Sequence, residues 1–117
     1  MINNQVFMEI KEAQKKVKEL LGAIEHPRIG SFIALTEEIG EVADQIMKLE
    51  IYEQTKDITE LKKEVADVLF MLMELSNVYD IDLENEFLKK CSDIEPRAEK
   101  WKLQLKDIMD RKRDKHN

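Results

Sequence analysis

The stretch VADVLFMLMEL, Val65 to Leu75, constrains this chain more than any other. As a helix it is apolar around most of its circumference, and such a helix belongs inside a structure. A chain of 117 residues offers little to surround it. The expectation is a four-helix-bundle-type core completed by further copies of the chain, a homodimer or a homotetramer. Structure breakers are scarce, with three glycines and two prolines in the whole chain. Leu, Glu, Lys, Ile and Met are plentiful, which argues for an all-α fold in a single domain over residues 1–117.

Hydrophobic periodicity places the helices. The first is expected over Asn4–Ile24, with Val6, Ile10, Ala13, Val17, Leu20, Leu21 and Ile24 recurring at three- and four-residue steps. EHPRIGS, Glu25 to Ser31, breaks it, and a second helix follows from Ile29 or Ser31 to Tyr52. A third, capped by Asp57 or Thr59, ends near Tyr79. YDIDLE, Tyr79 to Glu84, reads as a tight turn with Asp80 or Asp82 capping helix four. Pro96 should end or kink that helix near Ile94, with a further helical stretch from Arg97 to about Met109 and a frayed tail over about 110–117. Leu72 is expected in the core or at an interface.

Net charge and cysteine usage narrow the function classes. At −6 the chain is no general nucleic-acid binder. The longest apolar run, Val68 to Met73, is too short to span a bilayer, so no membrane partner is expected. The lone Cys91 cannot form an internal disulfide, and no signal peptide is recognised; both suit the cytoplasm.

The chemistry lies in two acidic pairs. Glu38 and Glu41 are three residues apart, as are Glu64 and Asp67, so each pair shares a helix face. Glu38 borders the stripe of Leu35, Ile39 and Val42, and Glu64 borders that of Val65, Val68, Leu72 and Leu75. With 25 acidic residues in 117, one such pair arises readily by chance. Two pairs of identical spacing, each at the edge of a strongly apolar helix, are less easily dismissed. If the two helices form an antiparallel hairpin, the four carboxylates converge. Half-buried and unpaired they would repel one another, and a hard divalent cation, Mg²⁺ with Mn²⁺ as a substitute, would relieve the conflict.

EEIGE, Glu37 to Glu41, followed by EVAD, Glu64 to Asp67, resembles the E-E-x-x-E … E-x-x-D signature of MazG-like nucleotide pyrophosphohydrolases. The likeness covers about Leu35 to Arg97, with a weaker match at HPR, His26 to Arg28. It implies Mg²⁺-dependent hydrolysis of a nucleoside triphosphate to monophosphate and pyrophosphate by an oligomeric helical bundle, in nucleotide housekeeping. By the same resemblance Glu38, Glu41, Glu64 and Asp67 are the metal ligands. Glu37 stands beside them, where it could orient or deprotonate the attacking water or hold an extra metal. Lys90 and Arg97 match the family's phosphate-contacting Lys and Arg, while Ile94, or Asp93 in a slipped register, stands where the family has Asn. Asn77 is a further candidate substrate contact. No tryptophan follows the first motif to sandwich a base; only Tyr52 lies beyond it. Phosphoribosyl-ATP pyrophosphohydrolase is the enzymatic alternative, and a non-catalytic helical interaction module the alternative of another class.

Among the remaining residues, His26 reads as a turn-surface histidine, although HPR could reach a base or phosphate. Trp101, Met71 and Met73 read as packing residues, and Cys91 as structural.

Overall fold

The computed structural model describes residues 7–22 and 24–116, without the side chain of residue 116. It is all helical, with no strand among the described residues. The helices are α1 (Ile10–Leu21), α2 (Arg28–Ile46), α3 (Thr59–Val78) and α4 (Leu83–His116). The chain divides into two compact units at the Leu83–Glu84 junction.

In the first unit α3 packs against both α1 and α2. Residues early in α2 meet residues late in α3: Ser31 and Ala34 share a cavity with Met71 and Glu74, while Ile39 and Val42 share a cleft with Val65 and Val68. The α2–α3 pair is therefore antiparallel, as a short connector favours. The apolar side chains driven deepest are Val17 of α1 and Met73 of α3, at 4% and 6% exposure.

Helix α1 is shorter than its periodicity suggests. Phe7 to Glu9 precede the helix, and Gly22 and Ile24 follow it. Asn4 to Val6, also assigned to it from sequence, lie outside the described residues. The helix ahead of Tyr52 is not uniformly α: its last turn, Met47–Ile51, widens to a π-helix. The Tyr52 N–H donates to the Met47 carbonyl at 2.9 Å, and Glu53 at φ 48° turns the chain away. The N-cap of α3 is Ile58, not Asp57 or Thr59, but Asp57 braces the helix start from one residue further out. Its Oδ1 accepts from the Thr59 N–H at 3.0 Å and from the Thr59 hydroxyl at 2.6 Å, meeting a donor that the first turn leaves free.

Asp80 ends α3 instead of capping α4. It stands at φ 53°, where the left-handed backbone lets its N–H reach the Asn77 carbonyl at 3.1 Å and the Ile81 N–H reach Ser76 at 2.8 Å. These are the paired bonds of a Schellman motif, with Asp in the place usually held by Gly. Within the first unit a polar hub on α1 holds the segment from Asn77 to Leu83. Gln14 accepts from the Leu83 N–H at 3.2 Å through Oε1 and donates to the Ile81 carbonyl at 2.5 Å through Nε2. Its own carbonyl accepts from Asn77 at 3.0 Å.

The second unit shows the largest departure from the sequence expectation. Pro96 neither ends nor divides the helix, and α4 runs through it to His116, past both Ile94 and Met109. A proline forfeits one backbone bond. Strong helix formers on both sides and ion pairs across each turn, Arg97 to Asp93 and Lys102 to Glu99 among them, carry the helix past that loss. No helix of the described chain is long and apolar enough to cross a membrane.

Candidate active site

The antiparallel pairing of α2 and α3 brings the acidic motifs together. One carboxylate oxygen from each of Glu38, Glu64 and Asp67 lies within 4.8 Å of the other two. Glu38 and Glu64 are half-buried and Asp67 is exposed. Glu41, expected as the fourth member, is exposed and stands outside this trio. Its charge is still felt there. The Glu64 carboxyl is pushed above its ordinary range first by burial, then by the charges of Asp67, Glu41, Glu38 and Glu60. Glu37 is exposed beside Glu38 on α2.

This is a negative cluster with no cation of its own among the described side chains. Its chemistry suits a hard divalent ion, because every donor is a carboxylate oxygen.

The other anticipated residues are differently placed. Asn77 lies about 15 Å further along α3 than Asp67, with its amide donating to the Gln14 carbonyl. Lys90 and Arg97 belong to α4 in the second unit, where both engage Asp93. The Arg97 Nη2 lies 2.6 Å and the Lys90 Nζ 3.9 Å from its Oδ2. Trp101 is not packed away: it is half-exposed, with the Arg97 guanidinium 5.4 Å from its ring centre. Cys91 is likewise exposed, not part of a core.

His26 departs most from its sequence reading. It lies in the expected turn, but its ring reaches inward, with Nε2 3.1 Å from the buried carboxylate of Glu74 and Nδ1 2.9 Å from the Pro27 carbonyl. Both partners accept only, so both ring nitrogens are satisfied only in the imidazolium. The Pro27 carbonyl first, and Glu74 next, raise the His26 pKa above its ordinary 6.5. A histidine with a raised folded pKa stabilises fully below its unfolded pKa, and the contribution is lost as pH climbs through the folded value. The melting temperature should therefore decline as pH rises past 6.5, and His26→Gln should remove that part of the slope. Superimposable pH profiles for the two proteins would contradict the pairing.

Glu74 itself escaped the sequence reading, as did Ser31. Both line a cavity of about 240 Å³ with Leu21, Ile24, Ala34 and Met71. The detectable signal was a heptad: Glu74 follows Asp67 by two turns, and Ser31 precedes Glu38 by two turns.

An all-helical protein with clustered carboxylates on an antiparallel helix pair is the class that fold and site define. Comparison with known families gives that class its name. The model of the MazG nucleotide pyrophosphohydrolase domain matches residues 31–101, and the chain belongs to this family. The match spans both acidic motifs and the start of α4 as far as Trp101. Neither the comparison with curated proteins nor that with solved structures gives a match.

Proposed function

We propose that this chain is a Mg²⁺-dependent nucleoside triphosphate pyrophosphohydrolase, releasing pyrophosphate and a nucleoside monophosphate, and that it serves nucleotide housekeeping in the cytoplasm. The observation carrying this reading is the meeting of Glu38, Glu64 and Asp67 at the α2–α3 seam inside the MazG match. These three, with Glu41 whose charge reaches Glu64, would hold the ion. When bound, the cation neutralises phosphate oxygens and lowers the pKa of a bound water.

The remaining roles fall to the chain's own side chains. Glu37, exposed next to Glu38, orients the attacking water or takes its proton. By the family resemblance alone, Lys90 and Arg97 would be phosphate contacts, a guanidinium being able to grip two oxygens at once. The helices position these groups, and positioning is most of what phosphoryl chemistry asks of a protein.

Oligomerisation belongs to the same proposal. Val65 and Leu69 of α3 and Ile39 of α2 are 52–53% exposed, apolar surface that a homodimer or homotetramer would cover.

The test is a panel of nucleoside triphosphates, phosphoribosyl-ATP included, incubated with and without Mg²⁺. The expected products are pyrophosphate and monophosphate, formed only with the divalent ion. Release of orthophosphate alone, or no Mg²⁺-dependent product from any member, would refute the reading.

A further inference from the structure

The cavity between the α1–α2 turn and the seam of α2 and α3 is walled by Leu21, Ile24, Ala34 and Met71 and holds three polar groups. Glu74 is 5% exposed and Ser31 1%. A carboxylate so deeply buried needs a strong reason to be there. His26 satisfies one of its oxygens, Oε1. The other, Oε2, meets no donor among the described residues, and the Ser31 hydroxyl is buried without a partner. An unmet buried hydroxyl beside a carboxylate oxygen that no described protein donor occupies, in an apolar chamber, is what a ligand site offers.

Position says which ligand. Ser31 and Glu38 lie on one face of α2, two turns apart, and Asp67 and Glu74 are spaced the same way on α3. Because the helices are antiparallel, the cavity and the carboxylate trio lie on one line along the seam, about 10 Å apart. A sugar and a phosphate bridge such a span. The volume, about 240 Å³, falls below the roughly 300–1,000 Å³ of pockets that enclose a whole drug-sized molecule, and suits one ring system.

Resting on the nucleotide reading above, we propose that this cavity receives the base of the substrate and that Glu74 selects bases bearing an exocyclic amino group. Oε2 accepts from the amino group of cytosine, adenine or guanine. Thymine and uracil present a carbonyl oxygen where cytosine carries that amine, and a carboxylate repels it. Ser31 supplies a hydroxyl that turns to donate or accept, and the apolar walls lie against the ring. His26 is a positioning residue: it neutralises Glu74 and holds its carboxylate in one orientation.

The test uses the full chain in two assays. Binding of deoxycytidine, deoxyadenosine and thymidine is measured by NMR titration, without phosphate or metal. Turnover of dCTP, dATP and dTTP is measured with Mg²⁺ as kcat/KM. One hydrogen bond to a charged group predicts a preference for the amino-bearing compounds of about ten- to hundredfold in both assays. Glu74→Gln, whose amide can also donate, should bring the ratio to within a few-fold by improving thymidine and dTTP. Ser31→Ala removes an unpartnered hydroxyl, so it should melt no lower than the parent and yet bind deoxycytidine more weakly.

A parent ratio near one, or a ratio unchanged in Glu74→Gln, overturns the proposal. Should that variant fail to fold, unchanged deoxycytidine binding in Ser31→Ala overturns it instead. Selective nucleoside binding without hydrolysis of any triphosphate would support the cavity's role and sink the pyrophosphohydrolase reading. Hydrolysis without base preference would do the reverse.

Discussion

Replacing Glu38 with Gln, or Asp67 with Asn, should lower turnover at least about a hundredfold while leaving the helices intact. Loss of even a supporting partner of a metal ligand costs ten- to hundredfold, and a ligand itself should cost no less. The amide matches the acid in shape, so packing along α2 and α3 is undisturbed. Without divalent ions neither variant should melt below the parent, because each removes one of the charges crowding Glu64. Adding Mg²⁺ should raise the melting temperature of the parent and do little for the variants, since a cation stabilises only the fold that binds it. Both readouts follow from Glu38, Glu64 and Asp67 sharing one site. Full activity in both variants would show that the reaction does not depend on that cluster.

Truncating Met73 to Ala should cost roughly 2–5 kcal/mol. Met73 is 6% exposed and lies beside Val17, Phe70 and Leu69 where α3 meets α1. Against a total of about 5–15 kcal/mol for a small domain, that loss is a large fraction. The urea midpoint should fall with little change in slope. Leu72, placed in the core or an interface from sequence, is 37% exposed, so its truncation should cost less in the isolated chain. An equal penalty at Leu72 that shrinks on dilution would place that side chain between copies of the protein. A negligible penalty at Met73 would contradict the α1–α3 seam.

The two central helices were readable because their apolar stripes are long and their ends are punctuated by Pro27, Asp57 and the YDID turn. Both acidic pairs were readable for the same reason: helical spacing fixes which carboxylates share a face. What periodicity could not supply was the outcome of competition between local and neighbouring effects. Pro96 argued for a break, but one lost backbone bond was outweighed by two strongly helical flanks. Asp80 was assigned to the helix that follows it, whereas its left-handed backbone closes the helix before it. Glu41 has the right spacing, yet the trio forms without it. Glu74 was hidden because a single acid in an apolar run reads as surface until its partner is known. That partner, His26, is distant in sequence and looked like an ordinary turn residue.

Asp93 gives α4 a character that its lysine and arginine alone would not. Because one aspartate already occupies both cations, any anion arriving at Lys90 and Arg97 must displace a tethered rival instead of filling bare positive charge. Such a competitor loosens the hold on every visitor, including the departing one. For pyrophosphate, the product of the proposed hydrolysis, a moderated grip would favour release.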